Sequence, residues 1–295
     1  MSHCNCLSRL IVVMPNIAIN ARWAQNGVTV ARELNDPLGF FVDDDQTIVI
    51  ADFRNDRIVQ WKMGDKKGQV VAGGGGKGNR LDQLNCPTDV LIDKETDSLI
   101  ICDRDNRRVV RWPRHNGTTQ GETLIKNITC YGLTMDEQRH LYVSDVEKHE
   151  LVGNGEGAGL NQLSRPSYLF VDRQQTVYVS DFGNHRVMKW NEGAKEGIVV
   201  AGGQGDGNAL TQLYYPNGLV ADTLGTLYVA DSNNHRVMRW PQGAKQGIAI
   251  VGENDQGNEP NQLNYPMGLF FDQYGNLYVV DFGNDRVQRF SLEQT

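Results

Sequence analysis

The sequence predicts an all-β chain folded as a six-bladed β-propeller, and three observations predict it. A unit reading P-x-G-hydrophobic-hydrophobic-hydrophobic-D recurs along the chain. Each copy holds short β-branched and aromatic runs bounded by Gly, Asn and Asp, and no window keeps a 3.6-residue period. Copies are 50 residues apart from Pro37 to Pro87, from Pro166 to Pro216 and from Pro216 to Pro266. That spacing suits one four-stranded antiparallel blade per copy.

Strand one of each blade opens at Pro37 (PLGFFVD), Pro87 (PTDVLID), Pro166 (PSYLFVD), Pro216 (PNGLVAD) or Pro266 (PMGLFFD). A sixth copy starts at Cys130 (CYGLTMD). Strand two ends in Asp52, Asp103, Asp145, Asp181, Asp231 or Asp281. Strand three opens with Arg57, Arg108, Arg186, Arg236 or Arg286, five residues after the aspartate. Strand four reads GQVVAGG, GIVVAGG or GIAIVGE. The last copy stops after strand three, and Gly27 to Ala31 matches the missing fourth strand, Gly197 to Ala201. The ring is therefore expected to close by pairing the N-terminal strand with the last blade, which removes open sheet edges. Residues 1–20 are expected to be a disordered N-terminal segment and 21–295 one propeller domain, with blade starts at 37, 87, 130, 166, 216 and 266.

The copy at Cys130 is short. Asp145 to Pro166 spans 21 residues where Asp181 to Pro216 spans 35, a deficit of 14 that corresponds to Val187 through Val200. Blade three is thus expected to be a two-stranded stub, with Lys148 and Glu150 where the other copies carry asparagine and arginine. The deficit reads either as a genuine gap in the wall or as a splice form or mis-joined gene model.

N-x-R-V after an aspartate, as in Asn184-His185-Arg186 and Asn234-His235-Arg236, together with the G-L-x-x-D runs, resembles the NHL repeat. The resemblance covers residues 27–290. It implies a six-bladed propeller and little about activity, because one fold hosts unrelated functions. In that family the propeller serves as the recognition module of tripartite-motif ubiquitin ligases, as an extracellular sensor module and as the scaffold of an amidating lyase. Related propellers include calcium-dependent lactonases.

What recurs in every copy reads as architecture. Asp52 with Arg57, Asp103 with Arg108, Asp181 with Arg186, Asp231 with Arg236 and Asp281 with Arg286 are expected to be carboxylate–guanidinium pairs across the second hairpin. Asp43, Asp93, Asp136, Asp172, Asp222 and Asp272 suit turn capping. The glycine stretches at Gly73 to Gly78 and Gly202 to Gly207 lack the G-x-x-x-x-G-K-[ST] pattern and read as blade connectors.

No catalytic constellation emerges, and no enzyme, metal or cofactor is expected. The channel-lining strands offer Leu38, Phe40, Val90, Leu133, Leu169, Leu219 and Leu269, with Asp89 and Asn217 as polar candidates, whereas calcium needs several converging oxygens. The face that gathers the connectors and the loops between strands two and three is the expected binding face. Its candidates are Arg54, Arg80, Arg104, Tyr131, Phe182, Tyr214, Tyr215, Asn233, Tyr265 and Phe282.

The net charge of −7 disfavours nucleic acid as a partner, although Lys62 to Arg80 and Arg104 to Arg114 form local basic clusters. Residues 10–14 (LIVVM) are too short to span a membrane. Cys86 and Cys130 both sit at the entrance of a first strand, in adjacent blades, and are candidates for a disulfide; Cys4-x-Cys6 is too weak for a metal site. The compartment stays open. The expected function is a non-catalytic, monomeric module that binds a protein or peptide. The alternatives are a substrate-recognition component related to NHL-type ubiquitin ligases and a metal-dependent lyase- or lactonase-like propeller.

Overall fold

The computed structural model describes residues 14–114, 119–149, 155–252 and 255–293. Strand β1 (Val28–Ala31) is followed by β2 (Pro37–Val42), β3 (Ile48–Asp52), β4 (Arg57–Trp61) and β5 (Gln69–Ala72), the last four forming one sheet. Next come β6 (Pro87–Asp93), β7 (Ser98–Asp103), β8 (Arg108–Pro113) and β9 (Glu122–Lys126). The hairpin β10 (Cys130–Met135) and β11 (Leu141–Asp145) stands alone as a two-stranded sheet. Two further sheets hold β12 (Pro166–Val171), β13 (Val177–Asp181), β14 (Arg186–Trp190), β15 (Ile198–Gly202), and β16 (Pro216–Ala221), β17 (Leu227–Asp231), β18 (Arg236–Trp240), β19 (Ile248–Val251). The chain ends in β20 (Pro266–Phe271), β21 (Leu277–Asp281) and β22 (Arg286–Phe290).

The expectation of six blades is corrected: the ring holds five four-stranded antiparallel blades. The repeat at Cys130 supplies two strands, because the residues for a third and fourth are missing from the chain, and a hairpin alone does not make a blade.

The fifth four-stranded sheet has the order β1-β22-β21-β20, so both ends of the chain build it. Val28 lies opposite Arg289 and Ala31 opposite Val287, with a bulge between Thr29 and Ala31. Of the segment expected to be disordered, residues 1–13 lie outside the described residues, while Met14 and Ile17 are buried with Ala21 and Trp23. Trp23 donates its indole N–H to the Gly275 carbonyl at 2.9 Å.

Blades pack face to face through alternate apolar residues, and Trp61, Trp112, Trp190, Trp240 and Phe290 are buried between them. The first strands crowd the axis. A Cβ on Gly132 would lie 2.8 Å from the Ser167 carbonyl oxygen, so a side chain there has no room. Asp89 and Tyr168 stand where other copies place this glycine.

The repeated polar residues knit each blade to the connector before it. Asp103 accepts from Arg108 Nε at 2.6 Å, from Asn106 Nδ2 at 2.8 Å and from the Asn85 amide at 2.8 Å. Arg108 then donates to the carbonyls of Asn79, Arg80 and Gln83, each at 2.9 Å. Arg186 repeats this with Asp181 and the carbonyls of Ala158, Gly159 and Gln162. Burial still holds the carboxyls of Asp103, Asp181 and Asp231 above the ordinary range, so the guanidinium offsets desolvation without overcoming it. At the opposite end of strand one, Asp172, Asp222 and Asp272 cap their turns; Asp222 accepts the amides of Leu224 and Thr226, each at 2.9 Å.

Cys130 is bonded to Cys102, with the Cα atoms 5.8 Å apart, and Cys86 is a buried free thiol. The pairing of Cys86 with Cys130 is corrected accordingly. The residue before the strand-two aspartate touches the start of the next first strand, as Ser180 does in donating to the Asn217 carbonyl; Cys102 holds that position and meets Cys130.

Candidate functional site

Two regions combine concavity or ring stacking with polar groups, and they lie at opposite ends of the ring. On the connector face, Phe182 stacks on Tyr215 at 4.4 Å and Tyr215 on Tyr214 at 5.0 Å. The Arg165 guanidinium lies 5.2 Å over the Phe182 ring, and the His185 ring is 4.6 Å from Tyr215. The result is a continuous stack of half-buried rings ending in an exposed cation.

Backbone geometry sets this stack. Arg165, Tyr215 and Tyr265, each just before a strand-one proline, all have φ between 50° and 53°. Each donates its amide to a histidine Nδ1 in the preceding loop: Arg165 to His149 at 3.0 Å, Tyr215 to His185 at 3.2 Å and Tyr265 to His235 at 3.1 Å. Asp56 takes the histidine's place for Cys86, and Asp285 for Asp36. The histidine of each N-H-R triplet is thus a latch between neighbouring blades. Burial lowers the His235 pKa, and Asp281 partly opposes this.

Of the candidate residues, Phe182, Tyr214 and Tyr215 come together, and the Asn233 amide donates to the Tyr214 carbonyl at 3.1 Å. Tyr265 forms a separate pair with His235 at 4.6 Å. Phe282 is half-buried one blade further on. Arg54 is held by Asp36 at 2.9 Å and Arg80 by Asp82 at 2.8 Å. Arg104 lies 4.0 Å from Asp105. Tyr131 turns inward and meets Tyr168 edge-on at 5.4 Å. The arginines of the second blade do not converge on one face: Arg108 is taken by Asp103, Arg111 by Glu122 and Arg114 by Asp43.

The second region is the central channel, which widens into a cavity of about 760 Å³. Its walls are Phe40, Val90, Leu133, Leu169, Leu219 and Leu269, with Met14 from the N-terminal segment. Lys94, Glu137, Arg139 and Arg173 rim it at the strand-one-to-two turns, away from the connector face. Asp89 and Tyr168 reach into it from the inner end. Asp89 accepts the amides of Val90 at 2.9 Å and Leu133 at 2.8 Å, and burial pushes its pKa up to about 7. The Tyr168 hydroxyl is buried without a hydrogen-bond partner, and burial, aided by Tyr131 and Asp89, raises its pKa. Asn217 is buried against the Ser232 hydroxyl at 2.9 Å instead. Among the described residues no group of three or more His, Cys, Asp or Glu is arranged to hold a metal ion. No helix among them is long and apolar enough to cross a membrane.

Sequence reasoning missed Arg165, the latch histidines and the inward turn of Tyr131. It named Asp89 without its environment. The available signal was departure from the repeat: Asp89 and Tyr168 replace glycines in a crowded ring.

Residues 213–240 match the family model described as NHL repeat. No curated protein matches the chain in sequence. Several solved structures share its fold at low identity. An auxiliary nutrient binding protein from Bacteroides thetaiotaomicron is 15% identical, with a TM-score of 0.69, covering 96% of this chain and 76% of that one. A gluconolactonase from Xanthomonas campestris is 16% identical, with a TM-score of 0.64, covering 95% of this chain and 97% of that one. A virginiamycin B lyase from Staphylococcus aureus is 10% identical, with a TM-score of 0.55, covering 92% and 100%. At these identities the likeness is one of fold, and it spans binding proteins and enzymes alike.

Proposed function

We propose that this β-propeller, in which residues 213–240 match an NHL repeat, is a non-catalytic binding module whose connector face takes an extended segment of a protein or peptide. One observation carries the reading: the stack of Arg165, Phe182, Tyr215 and Tyr214 on that face. Large rings held in place by stacking lose little conformational freedom on binding, and such residues dominate interface energetics. The cation at one end adds a site for an aromatic or acidic side chain. A recognition role of the ubiquitin-ligase type would use this same face.

The test is affinity recovery of partners with the full-length protein and with Tyr214→Ala/Tyr215→Ala. Loss of specific partners from the variant supports the face; equal recovery removes it.

The channel favours a second reading, in which the cavity takes a small molecule and Asp89 exchanges a proton with it. The observation behind it is a buried carboxyl titrating near neutrality beside an unpartnered tyrosine hydroxyl. A lactone or cyclic ester turned over by the wild type and not by Asp89→Asn would establish this reading. Equal turnover by both proteins would end it.

A further inference from the structure

Five repeats supply a third strand, and in each of them an arginine opens it opposite the aspartate that closes strand two, as Arg186 lies opposite Asp181. Asp145 is the corresponding aspartate of the sixth repeat. It is 4% exposed, yet its described side-chain contacts are the amides of Glu147 and Lys148, each at 3.1 Å, and the Lys148 ammonium at 3.6 Å. The Lys148 side chain is 57% exposed and makes a loose substitute for a guanidinium.

Beside Asp145 opens a groove of about 360 Å³ lined by Ile125, Ile128, Leu141, Tyr142 and Val143. Strand β11 runs along it, and among the described residues β11 pairs only with β10. Strand two of each complete blade is fully buried, whereas Leu141, Tyr142 and Val143 are half-exposed. An unpaired apolar edge of this kind is a template for another strand.

Between the described turn at His149 and the next connector the chain has too few residues to form a third and fourth strand. The connector beyond it is already laid down as in other blades, with Glu156 bridged to Leu163 as Lys77 is to Leu84. A complete blade uses Val187 through Val200 here, and only residues 150–154 remain between the described turn at His149 and that connector.

We propose that β11 is a strand-addition site for an extended segment of another protein. The other repeats state what that segment must look like. In β13 and β14, Asp181 faces Arg186, Ser180 faces Val187, Val179 faces Met188, Tyr178 faces Lys189 and Val177 faces Trp190. The incoming strand therefore runs antiparallel to β11 and reads Arg-aliphatic-aliphatic-polar-aromatic. Its arginine meets Asp145, its two aliphatic residues lie opposite Ser144 and Val143, and its aromatic ring lies opposite Leu141. Main-chain hydrogen bonds supply the docking, and the buried carboxylate selects for arginine at the leading end.

The probe is a labelled synthetic peptide with the sequence of residues 186–202 of this chain, titrated into the full-length protein and followed by fluorescence anisotropy. Saturable binding is expected, with amide hydrogen exchange slowed at residues 141–145. Replacing the peptide's arginine by alanine, with the protein unchanged, should weaken binding at least tenfold, and Asp145→Asn in the protein should do the same. Absence of saturable binding, protection elsewhere than on β11, or equal affinity of the alanine peptide overturns the proposal. Self-association through residues 141–145, seen by sedimentation equilibrium, also overturns it, since the occupant would then be a second copy.

Discussion

His235 Nδ1 accepts the backbone N–H of Tyr265 at 3.1 Å, and this bond fastens one blade's loop to the start of the next blade. It exists only while Nδ1 is unprotonated. Burial lowers the His235 pKa, so the folded state resists protonation more than the unfolded chain does. The linked stability is present above the unfolded value of about 6.5 and is lost as pH falls through the lower folded value. His235→Asp copies the residue that Asp56 and Asp285 provide in other blades and keeps an acceptor at low pH. The thermal midpoint of the wild type should therefore fall more steeply than that of His235→Asp between pH 7 and pH 5, as read by circular dichroism. Parallel curves would show that the latch does not titrate in this range.

The arginines of strand three share one sequence position but not one environment. Arg108 pairs with Asp103 and also reaches three connector carbonyls. The link from Ala31 to Pro37 is short, and Arg57 bonds Asp52 with its side chain 32% exposed. Both alanine substitutions strand a buried carboxylate. Arg108→Ala should cost about 3–5 kcal/mol in urea unfolding. Arg57→Ala should cost less by about 1–3 kcal/mol, because it forfeits no connector bonds. Equal losses would mean that the carbonyl contacts contribute nothing.

Strand order, ring closure and the polar lattice were legible because each is written several times, so that a single departure such as Lys148 stands out. The blade count was not, because counting strand-one motifs scores the Cys130 copy as a blade, although the 14-residue deficit already marked it as the two-stranded hairpin that the structure shows. The disulfide escaped for a related reason. Cys86 precedes one first strand and Cys130 opens the next, and such neighbouring strand starts are held a blade apart, whereas Cys102 lies at an inter-blade contact with Cys130. Of the ring stack, the aromatic residues were legible as a loop cluster. Arg165 was not, because its place depends on a left-handed φ of 50° before proline, which the sequence disfavours for arginine.

Closure of the ring should depend on the N-terminal segment. Trp23 is 2% exposed, meets Phe271 at 5.7 Å and bonds the Gly275 carbonyl, and the following strand β1 completes the last blade. Trp23→Ala should destabilise the domain by about 3–5 kcal/mol. Deleting residues 21–31 should lower the thermal midpoint further, because it also bares the edge of β22. A deletion variant that melts with the wild type would refute the closure seen here.

Asp89 offers the opposite pH dependence to His235. Its carboxyl is buried at the inner end of the channel, and its pKa is pushed up to about 7. The folded state therefore holds a proton that the unfolded chain releases near pH 4. This contribution to stability is fully present below pH 4 and is lost as pH rises through about 7. Asp89→Asn removes the titration, so the stability of the wild type relative to the variant should decline across that window, by on the order of a few kcal/mol, and level off above it. Difference infrared spectroscopy gives a direct check, since a protonated carboxyl band should disappear near neutrality in the wild type and be missing from Asp89→Asn. A band lost near pH 4 in the wild type would place Asp89 among ordinary carboxylates and remove the physical basis for proton exchange in the channel.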